Sequence, residues 1–165
     1  MQSPIGFLLV QLITFTNLAL GVLSILSSDM KLAAIFILAA ALVDRMDGKI
    51  ARRLKSESEL GKELDSLSDL VSFGIAPCVI IWKTSLNIMG FWGYMLILLF
   101  VIAGTFRLAR FNTQNMTGSF LGMPITIAGS AIALLTIFTD NSIVLSILIV
   151  ILAFLMVSKI KFKKI

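Results

Sequence analysis

Six long helical segments, each with an extended apolar run, constrain this chain more than any other feature. A helix that spans a bilayer needs ~20 mostly apolar residues, and in lipid only helices and closed barrels satisfy their own backbone hydrogen bonds. Of the 165 residues, 58% are hydrophobic and 14% are charged, whereas about a quarter of a soluble domain is charged. We therefore predict an all-α, polytopic membrane protein with six transmembrane helices in a single domain over residues 1–165. The segments cover residues 5–26, 31–54, 56–82, 89–111, 121–138 and 143–157.

Serine and proline residues mark the expected starts and bends of these helices. The order S-x-x-E from Ser56 to Glu59 is that of a capping box, which predicts that the third helix begins there. Pro77 lacks a backbone N–H and is expected to bend or locally open this helix. Pro124 is expected in the first turn of the fifth helix, where proline is tolerated.

The basic residues predict how the helices are oriented. With six spans, the two termini and the 2–3 and 4–5 connections share one side of the membrane. Only Lys31 and Lys83, of the fourteen Lys and Arg residues, fall on the other side. Cytoplasmic loops carry an excess of positive charge, so we expect both termini on the cytoplasmic side of the cell membrane. The basic tail over residues 159–164 is interpreted as a topology anchor among anionic lipid head groups.

Four aspartates interrupt the apolar pattern between the second and third helices. Asp44 and Asp47 are spaced i, i+3 on one helix face, and Asp65 and Asp69 are spaced i, i+4 on the next helix. Two helices joined by a short polar turn can aim all four carboxylates at one point, where they repel one another unless a cation neutralises them. Oxygen ligands without His or Cys suit a hard cation such as Mg²⁺, Mn²⁺ or Ca²⁺, and four carboxylates can hold two ions for phosphoryl chemistry. The motif therefore predicts a two-metal site on the cytoplasmic side.

Small and basic residues accompany the first two aspartates. Gly48 and Ala51 have almost no side chain, so a ligand could approach the helix backbone at this face. Arg52 lies on the same face and carries a planar fork suited to phosphate. The alternative is a pair of amphipathic helices joined by a solvated, charged loop. That alternative explains one aspartate easily but not six fixed residue types at these spacings.

The pattern D-x2-D-G-x2-A-R-x8-G-x3-D-x3-D resembles the signature of the CDP-alcohol phosphotransferases, which are integral membrane enzymes. The family joins a CDP-linked donor to an alcohol. The resemblance implies that Asp44, Asp47 and Asp65 are chiefly metal ligands. It also implies that Asp69 both binds metal and acts as the base that takes the acceptor's hydroxyl proton. The signature positions matched here are Asp44, Asp47, Gly48, Ala51, Arg52, Gly61, Asp65 and Asp69.

The same resemblance implies a donor site, with Mg²⁺ or Mn²⁺ as cofactor. The family places an Asn near the donor's nucleotide, at the polar island of the first helix where Asn17 stands. The alternative for Asn17 is packing against another helix. The residues expected to bind the CDP-lipid are Asn17, Gly48, Ala51, Arg52 and Gly61.

Residues 63–77 and 107–112 resemble the phosphatidylserine synthase branch of this family, which implies L-serine as acceptor. Serine carries a carboxylate, so we expect Arg107 or Arg110 to anchor it, and Ser72 or Asn112 to lie near its ammonium. The alternatives are that the two arginines bind a phosphate, pair with the motif aspartates or serve only as inside positive charges. Glycerol phosphate and inositol phosphate stay open as acceptors.

Other classes of protein are less compatible with the chain. It has no His and one Cys, which excludes imidazole chemistry and an internal disulfide. The net charge is +5, and the basic residues lie between apolar segments, where lipid head groups and not nucleic acid are the expected partners. An ion or proton transporter would need polar groups deep in several spans, whereas the acids here cluster at one end. Self-association as a homodimer is left open.

Overall fold

The computed structural model describes residues 4–54, 58–113 and 120–162, without the side chains of residues 4–5, 47–54, 120–121 and 161–162. Apart from one pair of two-residue strands, the described chain is helical, which confirms the predicted helical class. The elements are α1 (Pro4–Leu26), α2 (Met30–Leu54), α3 (Glu59–Asp69), a π-helical segment (Leu70–Ile75), α4 (Ala76–Thr84), a 3₁₀ turn (Leu86–Met89), α5 (Phe91–Thr113), β1 (Phe120–Leu121), α6 (Ile125–Phe138), α7 (Ser142–Val157) and β2 (Lys161–Phe162).

The start of α3 differs from the predicted capping box. Ser58, not Ser56, is the N-cap residue, and its hydroxyl accepts a hydrogen bond from the Gly61 N–H. The third residue after this cap is therefore glycine, which has no side chain to reach back to the cap as glutamate would. Ser56 itself lies outside the described residues. The capping serine is two positions later than predicted because two serines occur in the same short stretch.

The predicted opening at Pro77 is confirmed as a π-helical segment just before it. Residues Leu70–Ile75 form this segment, and the N–H of Ala76 bonds to the carbonyl of Val71, five residues back. Proline cannot donate to the carbonyl four residues before it, and its ring crowds that carbonyl. The wider turn makes room for the proline ring where this hydrogen bond is missing. The chain then continues as α4, with proline in its first turn.

The fifth predicted helix begins later than expected. The sequence predicted a start near residue 121, whereas α6 begins at Ile125 with Pro124 as its N-cap residue. A proline disfavours helical geometry in the residue before it, so the chain cannot be helical up to Pro124. Leu121 instead pairs with Lys161, in the antiparallel contact between β1 and β2.

Among the described residues, three helical stretches are long and apolar enough to cross a membrane by length and composition: Gly6–Leu26, Glu59–Thr84 and Phe91–Thr113. The apolar helices α6 and α7 are shorter, with 14 and 16 residues. Many large apolar side chains of α1, α5 and α7 are exposed, as lipid-facing side chains would be. These features are those of a membrane protein and are consistent with several spans.

The π-helical segment lies at the centre of the helix packing. It contacts α1, α5 and α6 as well as its own neighbours in the chain. Two glycines allow the close approach. A Cβ on Gly21 of α1 would lie 2.8 Å from Ser72 Cα, and a Cβ on Gly129 of α6 would lie 2.7 Å from Phe73 Cα. Small residues at such positions let helix backbones touch in membrane proteins.

We expect Gly129→Ala to destabilise the protein, because its Cβ would meet backbone atoms that cannot rotate away. Overpacking of this kind costs roughly 1–3 kcal/mol. Gly74→Ala is the matched control, since its nearest neighbour is the Leu70 Cδ1 methyl at 3.0 Å, which can move. Thermal unfolding of the purified variants in detergent measures the difference. Equal unfolding temperatures for the two variants would show that α6 does not approach the segment this closely.

Candidate active site

A cavity of about 200 Å³ opens at the end of the bundle where α2, α3, α5 and α6 meet. Each helix contributes polar side chains to it, although the surrounding bundle is apolar. Charged groups are costly in such surroundings, which marks the cavity as the candidate functional site. The lining residues are Asp44, Asp65, Ser66, Asp69, Arg107, Leu108, Phe111, Pro124 and Thr126.

Three of the four predicted aspartates converge at this cavity. Asp44, Asp65 and Asp69 each offer a carboxylate oxygen, and these oxygens lie within 4.8 Å of one another. The i, i+4 spacing on α3 puts Asp65 and Asp69 on one face, and α2 brings Asp44 to the same point. An all-oxygen donor set of this size fits a hard divalent cation. Asp47 belongs to α2, but its side chain lies outside the described residues.

The charge of these carboxylates is offset by a buried arginine. Arg107 of α5 is only 8% exposed and interacts electrostatically with all three aspartates, most strongly with Asp69. Its guanidinium carbon lies 5.2 Å from the centre of the Phe111 ring, a cation–π distance. The ring lies one turn further along α5, so it limits the positions that the guanidinium can take. Arg107 is therefore placed where the sequence predicted a contact with substrate or with the motif aspartates.

Asn17 orients the most buried carboxylate. Its Nδ2 donates to Asp69 Oδ1 at 3.1 Å, and both side chains are buried. The backbone carbonyl of Asn17 in turn accepts a hydrogen bond from the Ser72 hydroxyl at 2.9 Å. Asn17 Oδ1 is buried and has no hydrogen-bond partner among the described residues. The polar island in α1 therefore contacts the acidic site, and Ser72 lies between helices instead of lining the cavity.

Thr126 is a site residue that the sequence analysis missed. Its hydroxyl donates to Asp44 Oδ2 at 3.2 Å, from the first turn of α6. The two residues are 82 positions apart in the chain, and no spacing rule connects them. The only sequence signal is that Thr126 follows a helix-starting proline by two positions, and this does not reveal which helix it faces.

The structure separates the two arginines that the sequence paired. Arg110 lies at the end of α7, where its Nη1 donates to the Val157 carbonyl at 3.0 Å. Its Nη2 donates to the carbonyls of Met156 at 3.3 Å and Ser158 at 3.2 Å. A cation at the carboxyl end of a helix satisfies carbonyls that have no partner within the helix. Arg110 is not among the residues lining the cavity.

Asn112 joins α3 to α5 at the rim of the cavity. Its side chain exchanges hydrogen bonds with the Ser66 hydroxyl and donates to Glu63 Oε1 at 3.1 Å. Its backbone carbonyl accepts from Lys62 Nζ at 2.9 Å. Ser66 itself lines the cavity, so Asn112 is one contact away from the site.

The remaining predicted donor-binding residues are placed only in part. Gly61 lies in the first turn of α3, where its N–H bonds to the capping serine. Gly48, Ala51 and Arg52 belong to α2, and their surroundings lie outside the described residues. Because α2 is continuous from Met30 to Leu54, these three residues continue the same helix that carries Asp44.

Converging carboxylates, a buried arginine and an apolar helical bundle together define a membrane protein with an acidic site suited to metal-assisted transfer. The family model of CDP-alcohol phosphatidyltransferases matches residues 7–158. The chain belongs to this family of enzymes, which in general depends on divalent metal ions.

Relatives of the chain carry one recurring name. A CDP-diacylglycerol–serine O-phosphatidyltransferase of Bacillus subtilis is 41% identical over 92% of this chain and 87% of the relative. One of the same name from Methanocaldococcus jannaschii is 33% identical over 92% of this chain and 72% of its own length. A third, from Helicobacter pylori, is 36% identical over 82% of this chain and 59% of its own length.

The two arginines should fail in different ways when they are replaced. We expect Arg107→Ala to lose phosphatidyl transfer even at temperatures where it is still folded, because the acids lose their buried counter-charge. We expect Arg110→Ala to unfold at a lower temperature, since hydrogen bonds from a charged group contribute about 1.5–3 kcal/mol. Unfolding temperature and initial rate, measured on both variants, test this. A stable Arg110→Ala protein without activity would contradict it and favour a substrate contact for Arg110.

Proposed function

We propose that this protein is a CDP-diacylglycerol–serine O-phosphatidyltransferase of phospholipid biosynthesis. It would transfer the phosphatidyl group of a CDP-lipid, diacyl or ether-linked, to the hydroxyl of L-serine and release CMP. The observation that carries the proposal is the 41% identity to the Bacillus subtilis relative over most of both chains. The acidic site lies in the part of the chain that matches the family.

The metal ligands in this proposal are Asp44, Asp47, Asp65 and Asp69, holding two ions of Mg²⁺ or Mn²⁺. The convergence of three of these carboxylates supports it, and the fourth is one helical turn from Asp44 on α2. Bound ions of this kind neutralise a diphosphate and help the nucleotide leave. Gly48, Ala51 and Arg52 of α2 and Gly61 of α3 would contact the CDP part of the donor.

Asp69 is the base in this proposal. Its Oδ1 accepts from Asn17, so we assign the proton to Oδ2. The serine hydroxyl oxygen forms a bond to the lipid-linked phosphorus, and the bond from that phosphorus to the CMP oxygen breaks. The serine proton passes to Asp69, and CMP leaves with the electron pair. Asn17 thus holds the Asp69 carboxylate by a hydrogen bond. This role is in addition to the contact with the CDP-lipid that the resemblance implies.

Arg107 is the better of the two arginines for the acceptor's carboxylate. It lines the cavity, whereas Arg110 donates to the carbonyls at the end of α7. For the ammonium, the hydroxyl of Ser66 is better placed than that of Ser72, which donates to the Asn17 carbonyl. Asn112 supports Ser66 through their hydrogen bonds. The acceptor site we propose therefore lies between α3 and α5.

The proposed topology has six spans, with both termini and the active site on the cytoplasmic side, in a single domain over residues 1–165. The distribution of Lys and Arg supports it, as does the family match over residues 7–158. The two shorter helices, α6 and α7, would be the fifth and sixth spans. Self-association as a homodimer stays a prediction.

We expect purified protein in mixed micelles to form phosphatidylserine and CMP from CDP-diacylglycerol and L-serine. Radiolabelled serine, glycerol 3-phosphate and inositol 1-phosphate, offered side by side, identify the acceptor. The expected result is incorporation of serine alone, because one arginine, Arg107, lines the cavity among the described residues and serine offers it one carboxylate. EDTA should abolish the reaction, and Mg²⁺ or Mn²⁺ should restore it.

Two single substitutions separate loss of the chemical step from loss of serine binding. Asp69→Asn should lower turnover at least ~100-fold, the scale of losing one general base. Arg107→Lys should raise the KM for serine more than that for the CDP-lipid, because lysine cannot offer the serine carboxylate the planar, two-donor fork of a guanidinium. Incorporation of a phosphate-bearing acceptor with none from serine would show that the proposed acceptor is wrong.

The topology is tested with reporter fusions at Asp140 and after Ile165. We expect opposite locations, since α7 would cross the membrane between them. A reporter that is active only in the cytoplasm should be active at the C-terminus and silent at Asp140. Activity at both positions would overturn the sixth span.

A further inference from the structure

Thr126 differs from the other threonines in the described helices. Thr14, Thr16, Thr84, Thr105, Thr113 and Thr136 all donate to a carbonyl three or four residues earlier in their own helix. This is the usual bond of a helical threonine. Thr126 instead donates to Asp44 Oδ2, on another helix.

The start of α6 explains why its hydroxyl is available. Thr126 is the second residue of the helix, so the residues three and four before it, Met123 and Gly122, are not helical. Their N–H groups bond outward to the last part of the chain, Met123 to the Leu155 carbonyl at 3.1 Å and Gly122 to the Ile160 carbonyl at 2.9 Å. One turn later, Gly129 packs against the π-helical segment. The first turn of α6 is therefore fixed by backbone hydrogen bonds before it and by helix packing after it.

Because its helical turn is fixed, the Thr126 hydroxyl can set the orientation of the Asp44 carboxylate that it contacts. Threonine is stiff at χ1, and its bond occupies one of the two oxygens of Asp44. This favours the Asp44 rotamer that brings a carboxylate oxygen within 4.8 Å of those of Asp65 and Asp69. Groups that hydrogen-bond to metal ligands orient them, and their loss typically lowers metal affinity or activity 10–100-fold.

We propose that Thr126 is a positioning residue, which holds the Asp44 carboxylate in the orientation that binds the divalent cation. The inference rests on the metal-binding role proposed for Asp44. It adds α6, outside the aspartate signature, to the elements that determine metal affinity. Thr126 touches Asp44 and acts through it.

The test compares Thr126→Val, which keeps the shape but loses the donor, with Thr126→Ser, which keeps the donor. Thr136→Val is the matched control on the same helix, since Thr136 donates only within α6, to the Ala133 carbonyl. Mn²⁺ binding to each purified protein, without substrates, is measured from the electron paramagnetic resonance signal of free Mn²⁺. Kinetics with a CDP-lipid then give kcat and the KM for serine at saturating metal.

We expect Thr126→Val to bind Mn²⁺ about 10–100-fold more weakly, with the KM for serine unchanged at saturating metal. Thr126→Ser should restore Mn²⁺ binding to near the wild-type level, and Thr136→Val should match wild type throughout. Thr126→Ala, the alternative if the valine variant does not fold, should show the same weakening.

Equal Mn²⁺ affinity in Thr126→Val and wild type would overturn the proposal. So would equal losses in the valine and serine variants, or the same loss in Thr136→Val. The binding measurement needs no acceptor, so it decides the role of Thr126 even if serine proves not to be the substrate. Conversely, serine transfer by the wild-type protein would stand if Thr126 had no effect on Mn²⁺.

Discussion

Mutual repulsion among three carboxylates is the constraint on which the site depends. Asp44, Asp65 and Asp69 bring oxygens within 4.8 Å of one another at one end of an apolar bundle. Like charges this close destabilise a folded chain unless neighbouring groups offset them. The chain supplies a cation from α5 in Arg107, and hydrogen-bond donors from α1 and α6. Helices outside the aspartate motif are thus required to hold the motif together, and a bound cation would complete the compensation.

The π-helical segment before Pro77 is where these helices meet. The π-helical segment widens the third helix directly after Asp69, and α1 and α6 approach its backbone closely enough that glycines are needed at the contacts. These two helices also carry the donors to Asp69 and Asp44. Gly21 and Gly129 have no side chain, so α1 and α6 can lie against the segment with both donors within hydrogen-bond distance of the acids.

The length and composition of the apolar runs predicted the helical class. Local spacing predicted the convergence of Asp65 with Asp69, because the period of a helix decides which residues share a face. The meeting with Asp44 was predicted because a short polar connection joins the two helices, and the resemblance of the whole motif agreed with it. Contacts between distant parts of the chain could not be predicted. Nothing in the spacing of Arg107 and Arg110 shows that one faces the acids and the other the end of α7. The late start of α6 was predictable from Pro124, had the restriction on the preceding residue been applied.

The length of α6 has a consequence for the lipid around it. Its 14 residues extend about 21 Å at 1.5 Å per residue, against a hydrocarbon core of about 30 Å. In the proposed topology α6 is the fifth span, and a bilayer can thin beside a helix that is too short for it. Because α6 begins at the cavity, head groups next to it would lie deeper than elsewhere in the membrane. A diphosphate attached to a lipid could then reach the carboxylates while its acyl chains stay among their neighbours, so the enzyme would not need to extract its donor.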